Sequence, residues 1–141
     1  MRALLIRSPW IDLILDGKKT WEIRGSRTHI KGQIGLIASR SGTVVGVCDL
    51  VKCVGPLTAT EFRKSAKKAG HRRSEAKLGY YRQTFAWVVK NARRLARPVE
   101  YRHPSGAVIW VLLEAAVDRE IQGQVAPKGI DSLREEDRGT R

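Results

Sequence analysis

The sequence predicts an α+β fold, in which a small, mostly antiparallel β-sheet or barrel carries helices at its periphery. The predicted elements follow the order β-α-β-β-β-α-β-β, with an additional helical turn after the second helix. The links between strands are of hairpin length and no βαβ alternation is visible, which argues against a parallel sheet. A chain of 141 residues, 42% apolar and 29% charged, is long enough for one domain with a buried core.

The first two elements lie at the amino terminus. Ala3–Arg7 is a short apolar run, which predicts a buried strand. Ser8 and Pro9 suit the N-cap and the first helical position, and Gly17 ends the helix that follows. Trp10 falls in the first turn of this helix, where it either packs into the core or stands at the mouth of a cleft.

A strand with a charged face and an apolar face follows this helix. Charged and apolar side chains alternate in Thr20–Arg24. We expect Trp21 and Ile23 to point to the core. Glu22 and Arg24 are two residues apart and therefore lie side by side on the opposite face.

Two further strands and a second helix come next. Gln33–Arg40 and Thr43–Val54 predict a hairpin, and the uneven apolar pattern of the longer strand indicates a bulge or burial on both faces. Thr58 and Glu61 form a capping box, which opens a helix that we expect to continue to about Ala69.

The last predicted strands are separated by a basic segment and a loop. Thr84–Val89 is strand-like, whereas Asn91–Arg97 is rich in arginine and is closed by Pro98. After a loop at Val99–Ser105, the stretch Ala107–Leu113 is the most apolar of the chain, and we expect it to be a central strand.

The sequence places the boundary of the domain at residue 114. Residues 115–141 lose hydrophobic periodicity and are rich in glycine and scattered charge. We therefore expect a domain at 1–114 and a weakly ordered C-terminal extension at 115–141, with Ile121, Val125 and Ile130 as candidates to anchor part of it. One interpretation of this extension is that it binds a protein partner.

The net charge of +13 belongs to the predicted domain. Residues 1–114 hold 22 Lys and Arg against 8 Asp and Glu, whereas residues 115–141 hold 5 against 6. A basic domain favours a polyanionic partner, with nucleic acid ahead of an anionic membrane surface, and solubility alone is the alternative explanation.

The basic charge is densest between residues 61 and 102, which contain 13 Lys and Arg against 3 Asp and Glu. The aromatic residues mixed with them include Tyr80, Tyr81, Phe85 and Trp87. Clustered cations bind backbone phosphates and aromatic rings stack on unpaired bases, so this segment predicts a nucleic-acid surface unless the aromatic residues are core.

The remaining patterns argue against a metal site, a disulfide and a membrane span. Cys48 and Cys53 are five residues apart on a predicted strand, which places them on opposite faces and suits a reducing compartment. His29, His71 and His103 lie far apart in loops, and we expect solvent exposure for each. Because no segment has the length of a signal peptide or a membrane span, we expect a cytoplasmic protein without a cofactor or membrane contact.

The sharpest functional signal is the segment Gly17–Arg24, which reads Gly-Lys-Lys-Thr-Trp-Glu-Ile-Arg. Here Lys19, Glu22 and Arg24 crowd the join between a helix and a strand, where a turn needs little more than glycine. These three residues form a salt-bridged strand start, an anchor for a phosphate, or a Lys–Glu pair that transfers protons.

This segment fits the motif Gly-x-Lys-x-x-Glu-x-Arg and resembles the ASCH domain family, a branch of the PUA-like superfamily. The helix before the motif and Pro98–Trp110 also resemble the pattern of that family, and the similarity covers roughly residues 1–114. The resemblance implies a PUA-like β-barrel of five or six strands, with helices around a cleft lined by Lys19, Glu22 and Arg24. It also implies RNA binding, and in some members hydrolysis of RNA or of N4-acetylcytidine.

One position departs from the hydrolytic members of the family. The N4-acetylcytidine amidohydrolases that resemble this stretch have Lys-x-x-Thr, with the threonine as nucleophile. Glu22 occupies that position here, and Thr20 is not its equivalent. The departure argues against the amidohydrolase activity and makes ribonuclease the more favoured hydrolytic activity.

The sequence therefore supports two main hypotheses. In the first, the chain is an RNA-binding module with the motif as the cleft floor and the basic segment 64–73 as the electrostatic approach. In the second, it is a small hydrolase acting on RNA or a modified nucleoside, with Lys19 and Glu22 as the catalytic pair. The residues predicted to contact nucleic acid are Ser8, Trp10, Lys18, Arg24, Arg27, Lys64, Lys67, Lys68, Arg72, Arg73 and Tyr81.

Overall fold

Six strands and three α-helices make up the part of the chain that the computed structural model describes, residues 1–126 without the side chain of Ser74. The strands are β1 (Arg2–Ile6), β2 (Trp21–Arg24), β3 (Gly32–Ala38), β4 (Thr43–Val54), β5 (Phe85–Glu100) and β6 (Trp110–Leu112). The helices are α1 (Trp10–Leu15), α2 (Ala59–Lys64) and α3 (Ala115–Val125), with a 3₁₀ turn at Arg73–Glu75.

The strands form one curled sheet in the order β2-β5-β4-β3-β1-β6. Neighbouring strands are antiparallel except for β1 and β3, which run parallel. Although β2 and β6 are the two edge strands, the sheet curls so that its two ends approach each other. Trp87 of β5 stacks on Trp110 of β6 with ring centroids 5.6 Å apart, and Arg24 of β2 donates a hydrogen bond to Leu5 O of β1 at 2.8 Å. The predicted α+β class with a mostly antiparallel, barrel-like sheet is confirmed.

Helix α1 covers the inner face of the sheet with Ile11, Ile14 and Leu15. It approaches β4 so closely that a Cβ atom at Gly46 would collide with the Leu15 side chain. The same Cβ atom would lie 2.7 Å from the backbone oxygen of Arg93, so glycine is required there. The predicted N-cap is wrong, because Pro9 is the N-cap residue and no side chain caps the helix.

Helix α2 and the turns that follow it cover the outer face at the β2 edge. The predicted capping box is confirmed, because Thr58 N donates to Glu61 Oε1 at 3.0 Å and Glu61 N donates to Thr58 Oγ1 at 3.1 Å. The helix ends at Lys64, earlier than predicted, and turns carry the chain onward to Gly70. The buried side of this segment is nevertheless the expected one, since Phe62, Ala66 and Ala69 all belong to the cluster of buried apolar residues beneath α2.

Strand β4 contains bulges, which settles the alternatives that its uneven pattern left open. Its register with β5 shifts at three places, between residues 44 and 46, 47 and 49, and 50 and 52. The bulges bring Cys48 and Cys53 against the same core cluster, so the prediction that they occupy opposite faces is wrong. Both thiols are free, and burial raises the pKa of Cys48 to about 12.

Strand β5 is one strand of 16 residues where the sequence predicted a strand, a basic segment and a loop start. It passes through Pro98 because the register jumps from Val44↔Val99 to Gly46↔Arg94, which leaves residues 95–98 without ladder partners in β4. A proline removes no ladder hydrogen bond there. In place of β4, Gln124 of α3 bonds both the N–H and the C=O of Arg97, each at 3.0 Å.

The predicted central strand Ala107–Leu113 is instead short and peripheral. Only Trp110–Leu112 pair, as the edge strand β6, and Val108 and Leu112 are 79% and 72% exposed. An apolar run predicted burial on both faces, but here the run passes the rim of a cavity before it reaches the sheet. None of the helices in residues 1–126 is long and apolar enough to cross a membrane.

Helix α3 closes the core on the other face of the sheet. The prediction of a weakly ordered extension from residue 115 is wrong for Ala115–Val125. This segment is helical, and Ile121 is 0% exposed among buried apolar residues of the sheet such as Val47 and Val111. The amino group of Met1 also forms an ion pair with Asp118 at 2.5 Å. The rest of the predicted extension, 127–141, lies outside the described residues, and the boundary at 114 remains a prediction.

We expect Ile121→Ala to lower the free energy of unfolding by about 2–5 kcal/mol, because it leaves a cavity beneath α3. Urea denaturation followed by circular dichroism measures this change. Glu120→Ala, an exposed neighbour on the same helix, should change the free energy by less than about 0.5 kcal/mol. Equal effects of the two substitutions would show that α3 contributes nothing to the core.

Candidate functional site

A cavity of about 580 Å³ opens where the two ends of the curled sheet approach each other. Its floor comes from β2 and from Lys19, two residues before that strand, and one wall comes from β1 and the start of α1. The opposite wall comes from Phe62 of α2 and from residues between 71 and 84, which lie between α2 and β5. No backbone ladder joins the edge strands β2 and β6. Side chains join the two ends of the sheet here, among them Arg24 of β2, which is bonded to Leu5 O of β1, and this leaves room for the cavity.

The floor of the cavity is an ion cluster of Lys19, Glu22 and Arg24. Glu22 pairs in register with Trp87, which directs its side chain to the inner face of the sheet. Its Oε1 lies 3.7 Å from Lys19 Nζ, and its Oε2 lies 3.1 Å from Arg24 Nη2. One carboxylate thus lies between two cations, which leaves a net charge of +1 in the cluster.

Backbone carbonyls hold both cations of this cluster in place. Lys19 Nζ donates to Ala69 O at 2.5 Å, and Arg24 Nη2 donates to Leu5 O at 2.8 Å. The Lys19 side chain is only 2% exposed. Burial lowers its pKa from the usual value, and Glu22 opposes that change by favouring the ammonium form.

The sequence predicted which side chains of β2 share a face, and Trp21 and Ile23 pack against apolar core residues as expected, but it did not predict the burial of Glu22. Glu22 is buried on the inner face, whereas Trp21 and Ile23 are half-buried on the outer face against the cluster beneath α2. The alternation itself is present, but both faces are covered. Charged residues occupy the inner one because they neutralise each other there and border a cavity.

An aromatic wall stands beside the ion cluster. Trp10 packs on His71 with ring centroids 4.6 Å apart, and His71 meets the edge of Phe62 at 5.9 Å. Lys19 Nζ lies 5.2 Å from the centre of the Trp10 ring, a favourable cation–π distance. The prediction that His71 is solvent-exposed is therefore wrong. Its half-burial and the charge of Lys19 lower its pKa, although Glu75 and Glu22 oppose this.

A pair of tyrosines forms the other aromatic side of the cavity. Tyr81 packs so tightly against Gly25 that a Cβ atom there would lie 2.5 Å from Tyr81 Cδ1. Tyr80 meets Tyr81 edge to face, with centroids 4.8 Å apart and an interplanar angle of 87°. Burial raises the pKa of Tyr81, against the opposing effect of Arg24.

The structure brings together five of the predicted site residues, and the others lie outside the cavity. Lys19, Glu22, Arg24, Trp10 and Tyr81 line it. The remaining residues predicted to bind nucleic acid are exposed but do not line it, namely Ser8, Lys18, Arg27, Lys64, Lys67, Lys68, Arg72 and Arg73.

Two of these outer residues are held by contacts of their own. Arg27 donates to Gly55 O at 2.8 Å and lies over the Phe85 ring, and Lys68 lies over the Trp21 ring at 5.3 Å. Further lining residues were not predicted, among them Arg7, Ser39, His71, Glu75, Lys77 and Tyr80. Tyr80 and Lys77 carried a usable signal, as an aromatic and a basic residue of the segment 61–102.

The chain matches the family model of the ASCH domain over residues 4–99. It therefore belongs to the ASCH domain family, as the motif at residues 17–24 indicated. No curated protein sequence matches it.

Solved structures show the same fold. The crystal structure of ASCH from Zymomonas mobilis has a TM-score of 0.67 at 15% sequence identity, over 86% of this chain and 93% of that one. A tyrosine-to-phenylalanine variant and a serine-to-alanine variant of the Zymomonas mobilis protein give TM-scores of 0.65 and 0.64, each at 16% identity over 86% of this chain. They cover 96% and 94% of their own chains, respectively.

We expect Glu22→Gln to lower the free energy of unfolding at pH 7 by about 3 kcal/mol, because it leaves the buried Lys19 ammonium without a counter-charge. This is the lower end of the range for a broken buried pair, since the Glu22 side chain keeps 8% exposure. Urea denaturation measures the change. Glu75→Gln removes an exposed carboxylate from the same cavity and should be nearly neutral. An unaffected Glu22→Gln variant would contradict the neutralising role.

We expect the pKa of His71 to lie below its ordinary value of 6.5, and to rise in Lys19→Met. Titration of the imidazole resonances by NMR measures both values. Lys18→Met removes the same charge from an exposed neighbour and should leave the pKa unchanged. Because the unfolded chain binds this proton more tightly, stability should fall as the pH drops from above 6.5 through the folded pKa. A His71 pKa insensitive to Lys19→Met would contradict this coupling.

Proposed function

We propose that this protein is an RNA-binding module whose cavity receives one unpaired nucleotide. The single observation that carries the proposal is the combination, in one cavity, of a fixed cationic floor with aromatic walls. Nucleotides offer both matching groups, a phosphate for the cations and a flat ring for the aromatic side chains. The volume of about 580 Å³ lies within the usual range for small-ligand pockets.

Charge supports an anionic ligand over a neutral one. Four Lys and Arg residues line the cavity against two Glu residues, which leaves it positive. Outside the cavity, the exposed basic residues between Lys64 and Arg73 extend the positive surface beyond the cavity wall. Such a surface raises the association rate with a polyanion and binds its backbone without reading sequence.

Membership of the ASCH domain family supports the same proposal, because members of this family are thought to bind RNA. The proposal assigns the cavity to one nucleotide of the RNA, either unmodified or modified. It assigns the exposed basic residues between Lys64 and Arg73 to the RNA backbone. It also places the protein in the cytoplasm. Binding of a protein partner stays an additional proposal for residues 127–141, since α3 is committed to the core.

A second candidate function is hydrolysis of RNA or of a modified nucleoside, with Lys19 and Glu22 as the proton-handling pair. The observation that favours it is the lowered pKa of Lys19, which is typical of lysines that transfer protons. We rank it second because Lys19 Nζ is already bonded to Ala69 O and paired with Glu22. Both contacts favour the protonated, fixed form over one that releases its proton.

We expect Lys64→Ala/Lys67→Ala to weaken binding of single-stranded RNA and to reduce the salt slope by up to about two, because about one unit is lost for each phosphate contact. Fluorescence anisotropy with a labelled random-sequence RNA, measured over a series of KCl concentrations, gives the slope. Lys31→Ala/Lys52→Ala removes the same charge from exposed positions outside the cavity. It should leave the slope unchanged.

The same samples also separate the two candidate functions. Gel analysis of the RNA after incubation tests for cleavage by the wild type and by Lys19→Met. Salt-sensitive binding of intact RNA supports the binding module. Cleavage by the wild type that Lys19→Met abolishes, while its circular dichroism spectrum is retained, would make the protein a hydrolase. A wild type that binds no RNA at low salt would overturn both candidates that act on RNA.

A further inference from the structure

Tyr80 stands at the rim of the cavity with 84% of its surface exposed, which is unusual for a large aromatic side chain. Val108, another residue that lines the cavity, is also exposed, at 79%. The core does not need either side chain. Apolar surface left open beside a binding cavity marks a region that a ligand covers.

The exposed Tyr80 ring has one aromatic neighbour among the described residues. Its edge-to-face contact with Tyr81 favours the observed orientation, and Tyr81 packs closely against Gly25. The two rings therefore form a corner of 87°, in which Tyr81 is half-buried and Tyr80 is exposed.

We propose that Tyr80 is a stacking platform for the base that follows or precedes the nucleotide in the cavity, so that the ligand is an unstacked single strand of at least two nucleotides. This inference rests on the proposed function. It goes beyond it by naming the class of RNA and the residue that selects it.

The angle between the two rings carries the inference. Neighbouring bases in a duplex or in a stacked strand are parallel, and they cannot stack on two ring faces that are inclined by 87°. Two neighbouring bases can stack on Tyr80 and Tyr81 at the same time only when the strand turns between the two bases and the bases separate. Single-stranded RNA permits this at the cost of one stacking contact, whereas a duplex must also break base pairs.

Tyr80 should matter more for a strand than for a lone nucleotide. We expect Tyr80→Ala to raise the dissociation constant for a random-sequence single-stranded 12-mer RNA by about 5- to 150-fold, the loss of one base–aromatic stack. Tyr80→Phe keeps the ring and should bind within about twofold of the wild type. The loss of affinity that Tyr80→Ala causes for the four ribonucleoside 5′-monophosphates, measured by NMR titration, should be smaller than its loss for the 12-mer, because Trp10 and Tyr81 remain in the cavity.

Leu112→Ala is the matched control, because it removes an exposed apolar side chain that does not line the cavity. It should leave both affinities unchanged. Melting temperatures of the variants should equal that of the wild type, since Tyr80 and Leu112 are exposed. A 12-mer duplex of the same composition should bind more weakly than the single strand and should not respond to Tyr80→Ala.

Three results would each overturn the stacking role of Tyr80. The first is an unchanged affinity of Tyr80→Ala for the single strand, and the second is an equal loss of affinity for the single strand and the monophosphates. The third is a loss of affinity in Tyr80→Phe as large as in Tyr80→Ala. A wild type that binds the strand but none of the monophosphates would overturn it as well, because the cavity then takes no single nucleotide. A wild type that binds neither ligand would instead overturn the proposed function itself.

Discussion

The buried ammonium of Lys19 is the constraint on which the arrangement of the site depends. A buried charge is unfavourable unless it is paired and hydrogen-bonded, and Lys19 meets both needs with Glu22 and with Ala69 O. In the same segment, Lys68 O accepts hydrogen bonds from the N–H groups of Thr20 and Trp21. Gly70 then lets that segment lie against the lysine stem, because it adopts a φ of +77° and a Cβ atom would lie 3.2 Å from Lys19 Cδ. The same contacts thus fix the edge strand, the chain after α2 and the floor of the cavity.

The cavity follows from the way in which the sheet closes. A complete barrel would join the two edge strands, β2 and β6, by a ladder of backbone hydrogen bonds. Here the guanidinium of Arg24 spans that gap to Leu5 O, and the Trp87–Trp110 stack fills the space beside it. Side chains can close a gap of this kind and still leave room for a ligand, whereas a ladder cannot. Charged and aromatic groups that are needed to complete the fold are therefore also the groups that a ligand meets.

The sequence revealed the residues of the floor but not their surroundings, and the reason is physical. Lys19, Glu22 and Arg24 are adjacent along the chain, so local spacing is enough to group them. His71 reaches Trp10 and Phe62 only through the packing of the turns after α2 on β2, which no local pattern encodes. The inner position of Glu22 was missed because alternation shows that a strand has two faces and does not show which face borders a cavity. Strand β5 continued through Pro98 because α3, an element distant in sequence, replaced the missing ladder bonds.

Affinity and selectivity are assigned to different parts of the protein in the function proposed for it. Lys64 and Lys67 are exposed and surrounded by solvent, so they attract any polyanion and their contribution is screened by salt. The ion cluster is buried and each of its members is already engaged, so it contributes a fixed field more than a mobile contact. A ligand that enters the cavity must match that field and the aromatic walls without displacing Lys19 or Arg24 from their carbonyls. Because breaking the cluster destabilises the fold itself, the stability of this protein and its selectivity for a ligand are coupled through the same three side chains.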